Sequence, residues 1–221
     1  MSQTLEELPL FPLNVVIFPY AALQLHIVED RYREMVRTCL EFDRPFGIVL
    51  IRSGSETGEA DPYMVGTVVR ITSVHNYDDG RMDIDVQGER RFRIRKLDES
   101  HSYLAGYVEP VIEHEIEDSP RANQLISQAK EEFENLMRRF FARQEFNVQV
   151  VFPPDPVALS FTIANLLQMD NLEKQRLLET TDTLERFEEL IPVLQMQNMD
   201  AASPAYYRIS SVDLQEWVTA N

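Results

Sequence analysis

The spacing of apolar residues changes once along this chain, near residue 118, and this change constrains the possible folds most strongly. From Leu23 to Ile27 apolar and polar residues alternate, which is the two-residue period of a strand with one buried face. From Leu125 to Phe141 apolar residues recur every three or four positions, which is the period of an amphipathic helix. We therefore predict the α+β class, with a β-rich part over residues 1–117 and an α-helical part over residues 118–221.

Further strand patterns fill the first part. A continuous apolar run at 46–51 suits a fully buried strand, and Asp79-Gly80 between two β-rich runs predicts a hairpin. Gly88 interrupts the pattern after this hairpin, so we predict one strand before it and a separate strand after it. One helix, at 30–42, interrupts the strands. The predicted strands, in chain order, are 23–27, 46–51, 64–74, 82–86, 91–97 and 103–116.

The second part carries recognisable helix ends. Ser119 before Pro120 is a typical N-cap and first-turn pair, and Asp155 is placed to cap a second helix. Short helices are expected at 172–179 and 183–197, and a last one is expected to carry Trp217. Pro192 falls inside the helix at 183–197, where it removes a backbone hydrogen bond, so we expect a kink or a break there. Successive helices with short connections predict a bundle.

The charge of the chain restricts its partners. The formal net charge is −16 and the pI is about 4.6, so nucleic acids and anionic membranes are repelled at long range. One cysteine, Cys39, excludes an intramolecular disulfide and fits a reducing compartment. The acidic N-terminus does not resemble a signal peptide, and no apolar stretch is long enough for a membrane span. We expect a cytoplasmic protein with no nucleic-acid partner and no membrane partner.

Motifs for catalysis or cofactor binding are not recognisable. The glycines are not clustered as in a phosphate-binding loop, and the histidines are scattered without a second His or Cys at ligand spacing. No serine stands in the Gly-x-Ser-x-Gly context of a hydrolase. Cys39 lies on the predicted apolar face of the first helix, which favours a buried, inert thiol. We predict no catalytic residues, no metal and no cofactor.

Several segments resemble one family. Residues 8–19 (LPLFPLNVVIFP), 65–71 (VGTVVRI), 86–94 (VQGERRFRI) and 174–190 are similar to the substrate-binding domain found at the N-terminus of Lon proteases. The resemblance covers roughly residues 8–194. It implies a twisted, partly closed, mostly antiparallel β domain with one helix, followed by an α-helical bundle. Together these two parts would bind protein or peptide substrates. Within 221 residues we expect neither the ATPase domain nor the Ser–Lys peptidase domain of those proteases, and hence no enzyme.

The resemblance implies that some aromatic side chains contact polypeptide substrates. Recognition of unfolded or partly exposed polypeptides needs an accessible apolar groove with a polar border. The candidate contact residues are Phe11, Phe18, Tyr20, Tyr103 and Tyr107, and burial in the core is the alternative for each of them.

The single basic run leaves two interpretations open. Alternation along a strand would place Arg91, Arg93 and Arg95 on one face. They would either pair across strands with Asp83 and Asp85 or form a patch that grips an acidic partner.

Two other functions are considered. The chain could be an adaptor that docks on a specific protein or protease through its last residues, 210–221, with Trp217 as the anchor. It could also be a small-molecule enzyme whose polar residues converge in a pocket that spacing does not reveal.

Overall fold

A computed structural model describes residues 5–142, 148–199 and 218–220 of the chain. The first elements are β1 (Glu6–Leu13), β2 (Ala22–Ile27), α1 (Asp30–Glu41), β3 (Phe46–Gly54), β4 (Ala60–Pro62), β5 (Val65–Asn76), β6 (Met82–Asp98) and β7 (Ala105–Pro110). They are followed by α2 (Pro120–Ala142), β8 (Val148–Val150), α3 (Pro156–Leu166), α4 (Asn171–Glu179), α5 (Thr183–Met199) and β9 (Val218–Ala220). The predicted α+β class, with strands first and helices after them, is confirmed.

The residues form two compact units. Unit 1 comprises the chain up to Ile112 together with Asn171–Glu179, and unit 2 comprises Glu113–Asp170 with the residues from Thr180 onward. Helix α4 therefore lies in unit 1, although its residues fall in the range 118–221 that we assigned to the helical part. No helix within 5–142 or 148–199 combines the length and the apolar character needed to cross a membrane.

Five strands of unit 1 form a closed ring. The sheet runs in the order β1-β7-β6-β5-β3, and β1 also pairs with β3, so the last strand of the series meets the first. This closing pair is parallel, with register from Leu10↔Gly47 to Leu13↔Leu50, whereas the other pairs in the ring are antiparallel. The predicted partly closed and mostly antiparallel β domain is confirmed.

Strand β1 was not predicted, because prolines are rare in paired strands and this segment carries Pro9 and Pro12. The structure shows how they are accommodated. The first half of β1 pairs with β7 on one side, and the second half pairs with β3 on the other. Each half thus has one unpaired edge, where a residue without an N–H does not disrupt the sheet.

The prediction of two strands separated at Gly88 is wrong. Strand β6 is continuous over seventeen residues and pairs with β2, β5 and β7 in turn. Gly88 serves a close approach within this strand, because a Cβ added there would lie 2.3 Å from the carbonyl oxygen of Phe18. A register shift between Val68 and Val69 of β5 faces the same part of β6 and marks a β-bulge.

Two apolar cores hold unit 1 together. One draws residues from all five ring strands, which indicates that it fills the interior of the ring. The other lies against α1, whose buried residues include Met35, Val36 and Cys39. The ring core consists of Leu8, Leu10, Val49, Val68, Phe92, Ile94 and Val108.

Most predicted helix ends of unit 2 are confirmed. The Ser119 hydroxyl accepts a hydrogen bond from the Ala122 N–H, and the Asp155 carboxylate accepts from the first turn of α3. Of the expected kink or break at Pro192, the break does not occur, since α5 continues through this residue, and the kink stays a prediction. Burial of the α5 side chains that surround it offsets the lost hydrogen bond.

The interior of unit 2 contains a charged group that sequence patterns did not reveal. The Arg186 side chain is fully buried and donates to the Ser160 hydroxyl (2.9 Å), the Thr180 carbonyl (2.6 Å) and the Glu113 carboxylate (2.9 Å). Its guanidinium carbon lies 4.0 Å from the centre of the Phe161 ring. A buried charge is tolerated when it is paired and hydrogen-bonded in this way.

The predicted C-terminal helix that carries Trp217 stays a prediction, because it falls mainly on residues outside the described ones. Val218–Ala220 form β9, which pairs with β8 in antiparallel register. β-Branched Val218 and Thr219 favour a strand. Trp217 lies outside the described residues.

Gly66 lies in the segment at 65–71 that resembles the Lon family, and a close contact with β3 requires a glycine there. A Cβ on Gly66 would lie 2.4 Å from the Ile48 carbonyl oxygen and 2.6 Å from a Val49 methyl carbon.

We predict that Gly66→Ala lowers the free energy of unfolding by about 1–3 kcal/mol, because the strands must move apart. The matched change Gly58→Ala meets one hydroxyl at the end of the Ser55 side chain and should leave stability nearly unchanged. Urea unfolding of both variants measures the difference, and equal stabilities would contradict the prediction.

Candidate functional site

The predicted aromatic contact residues do not share one surface. Phe11 and Phe18 have 6% and 0% of their area exposed, and the Phe11 ring stacks on Tyr32 with centroids 4.0 Å apart. A polypeptide cannot reach these two rings in this structure, so they are reassigned from contact residues to the core. Tyr20 is exposed and has a left-handed backbone, with φ of 69°. Tyr107 is half-buried on β7, with the Lys96 ammonium 5.8 Å from its ring centre.

The three arginines of β6 do not form a patch. Arg91 is 3% exposed, Arg93 is half-buried and Arg95 is exposed. A register shift between Ile94 and Lys96 breaks the alternation on which the predicted common face depended.

The predicted ion pairs of this basic run are also corrected. Asp83 and Asp85 belong to the same strand as the arginines, so they are not partners across strands. Arg95 pairs instead with Glu109 of β7, and the Arg91 guanidinium donates to the Leu178 carbonyl of α4 at 2.6 Å.

Arg91 is therefore expected to be a structural residue. We predict that Arg91→Met lowers the free energy of unfolding by about 1–3 kcal/mol, because the Leu178 carbonyl loses a buried donor. Arg95→Met removes an exposed ion pair on the same strand and should change stability little. Thermal and urea unfolding of the two variants make the comparison. A greater loss of stability in Arg95→Met than in Arg91→Met would contradict the structural role of Arg91.

A cavity of about 300 Å³ lies on unit 1 and includes one of the predicted contact residues, Tyr103. Its walls come from the first half of β1, the end of α1, the loop that follows α1, and the segment that leads into β7. The lining residues are Glu7, Pro9, Thr38, Cys39, Arg44, His101, Tyr103 and Ala105.

The lining changes from apolar to charged towards solvent. Cys39 and Ala105 are buried, and Tyr103 is partly buried against the core beside α1. Glu7, Arg44 and His101 are exposed. The cavity therefore has an apolar floor and a charged rim, which is the combination typical of sites that bind organic groups.

Hydrogen bonds and stacking order the rim. The Glu7 carboxylate lies 3.0 Å from His101 Nε2, and an Arg44 N–H donates to the Glu7 carbonyl at 3.4 Å. The His101 ring stacks almost parallel on Tyr103, with centroids 5.5 Å apart. These contacts connect three stretches of chain that are far apart in sequence.

The side chains of the cavity floor are uncharged and unreactive near neutral pH. Burial raises the pKa of the Cys39 thiol to about 11, so the thiol stays protonated near neutral pH. Burial also raises the pKa of the Tyr103 phenol, which keeps its hydroxyl neutral and able to donate a hydrogen bond. The predicted inert thiol agrees with this environment. The floor can hold an apolar group, but Cys39 is not an activated nucleophile.

Sequence reasoning found Tyr103 and missed the rest of the lining. Glu7 and His101 are 94 positions apart, and neither stands in a recognisable motif. The pairing of β1 with β7 brings their regions together, and no local pattern reports that pairing.

Comparison with known proteins identifies the family. Residues 7–196 match the family model of the ATP-dependent protease La (LON) substrate-binding domain. Since the match spans most of the chain, the chain belongs to this family. The resemblance inferred from the sequence is confirmed.

Individual relatives agree with this assignment. The Lon proteases of Heliobacterium modesticaldum and Desulfovibrio desulfuricans are 28% and 27% identical over 88% and 84% of this chain. The matched region makes up 24% and 22% of those proteins, so the chain spans about a quarter of their length.

Two solved structures share the fold. The Lon N-terminal domain protein from Xanthomonas campestris superposes with a TM-score of 0.62 at 26% identity, and the match covers 85% of this chain and 98% of that one. The N-terminal domain of Mycobacterium avium complex Lon protease gives a TM-score of 0.64 at 21% identity over 86% and 98% of the two chains. The second likeness bears on the fold alone.

Proposed function

We propose that this chain recognises exposed apolar segments of other polypeptides through the cavity of unit 1, and that it binds them without catalysing a reaction. The cavity's apolar floor and charged rim carry this proposal. Membership of a substrate-binding family supports a recognition role. The Lon proteases are about four times longer than the matched region, so their proteolytic activity is not transferred to this chain.

The cavity suits one side chain of a polypeptide better than a large cofactor. Its volume is at the small end of ligand sites, which run from about 300 to 1,000 Å³. An apolar side chain placed against Tyr103 and Ala105 would leave water and bury apolar area. Thr38, Glu7 and Arg44 line the same cavity and would supply polar groups that bond the backbone of the bound segment.

Charge should influence the choice of segment. The net charge of −16 disfavours strongly acidic polypeptides at long range, while basic or neutral segments are attracted. We propose a cytoplasmic setting, since a single cysteine, Cys39, fits a reducing compartment. The alternative role of an adaptor that docks through Trp217 stays a prediction, because that residue lies outside the described residues.

Filling the cavity should weaken binding. We predict that Thr38→Trp lowers the affinity for reduced, carboxamidomethylated lysozyme, a permanently unfolded polypeptide, about tenfold or more, because the indole occupies the space of the bound side chain. Arg37→Trp places the same residue at the adjacent exposed position of α1, outside the cavity lining, and should bind like the native chain. Isothermal titration at two salt concentrations separates cavity binding from charge attraction to this basic probe.

Two results would contradict the proposal. Native chain that shows no saturable binding to the unfolded probe would remove the recognition role. An equal loss of affinity in Thr38→Trp and Arg37→Trp, with both variants as stable as the native chain, would show that the binding surface lies elsewhere.

A further inference from the structure

Three potential metal ligands converge at the rim of the cavity. One carboxylate oxygen of Glu7, one of Asp98 and one ring nitrogen of His101 all lie within 4.8 Å of one another. Within the described residues, this is the one group of three or more His, Cys, Asp or Glu side chains that meets this spacing. Glu7 and His101 also line the cavity, and Asp98 stands beside them.

The fold holds all three ligands in place. Glu7 lies in β1 and pairs with Tyr107 of β7, while Asp98 ends β6 and pairs with Ala105 of β7. Strands β1 and β6 flank β7 on its two sides, so the sheet fixes the backbone positions of Glu7 and Asp98. His101 belongs to the short connection from β6 to β7, and stacking on Tyr103 sets the plane of its ring.

The electrostatic state of the cluster suits a cation. The Ser100 N–H donates to the Asp98 carboxylate at 2.9 Å, and this bond is the main reason that the pKa of Asp98 is lowered. A carboxylate has two oxygens, so Asp98 can accept this bond and still offer an oxygen to a ligand. The net charge of the chain adds a long-range attraction for cations.

We infer that Glu7, Asp98 and His101 together bind a divalent transition-metal ion of the zinc class. One imidazole nitrogen and two carboxylate oxygens form a mixed set that zinc accepts, with water completing the coordination. A histidine ligand disfavours magnesium and calcium, which take oxygen ligands.

The geometry requires a small adjustment. Ligands about 2.1 Å from zinc in a tetrahedral site are about 3.4 Å apart, so ligand atoms now separated by as much as 4.8 Å must close in by up to about 1.4 Å. Glu7 and His101 are both nearly half-exposed, at 44% and 41%, and their side chains have room to rotate. The bound ion takes the place of the hydrogen bond that now joins them. This inference does not depend on the proposed binding of polypeptides.

Titration with Co²⁺ tests the site, since this ion resembles Zn²⁺ in ligand choice and absorbs visible light. The full chain without an affinity tag should show visible absorption that saturates near one equivalent and disappears when Zn²⁺ is added. His101→Gln and Asp98→Asn should each weaken Co²⁺ binding about tenfold or more. Asp98→Asn keeps an acceptor for the Ser100 N–H, so the local turn is preserved.

A histidine elsewhere in unit 1 serves as the control. His75 lies on β5 and, in the part of the chain that the structure describes, belongs to no group of potential metal ligands, so His75→Gln should bind Co²⁺ like the native chain. Absence of saturable Co²⁺ binding by native chain would overturn the inference. Equal weakening in His75→Gln and His101→Gln would overturn it as well.

Discussion

The parallel pairing of β1 with β3 is the constraint on which the rest of unit 1 depends. It joins the two ends of a five-strand series and closes the ring around its apolar core. Because β1 changes partners near its middle, its first half is free to pair with β7. That second pairing brings Glu7 and Pro9 beside the chain that carries His101 and Tyr103. The cavity is thus a consequence of how the ring closes.

Local features were predictable and long-range ones were not. The Asp79-Gly80 turn and the caps at Ser119 and Asp155 depend on a few neighbouring residues, so the sequence alone located them. The continuous course of β6 was missed, because the role of Gly88 is a contact with the Phe18 carbonyl seventy positions earlier in the chain. Long-range contacts also hid most of the candidate site. Tyr103 was recognisable as an aromatic residue, but strand pairing brings its cavity neighbours to it from distant parts of the sequence.

The rim of the cavity connects the two proposals. Glu7 and His101 face the space proposed for a polypeptide side chain, and they also supply two of the three proposed metal ligands. A divalent ion there would neutralise the charges of the two carboxylates and leave the apolar floor unchanged. The two kinds of binding are therefore separable, since Thr38 lines the cavity but is not a proposed metal ligand, whereas Asp98 is a proposed ligand that does not line the cavity.

The central claim is that the cavity of unit 1 is the surface that contacts polypeptides. Amide chemical-shift mapping of the ¹⁵N-labelled chain during titration with an unfolded polypeptide tests it most directly. The account predicts that the largest shifts fall on residues 38–44 and 101–105, which surround the cavity. Shifts concentrated on α2 and α5, with the amides around the cavity unchanged, would contradict it.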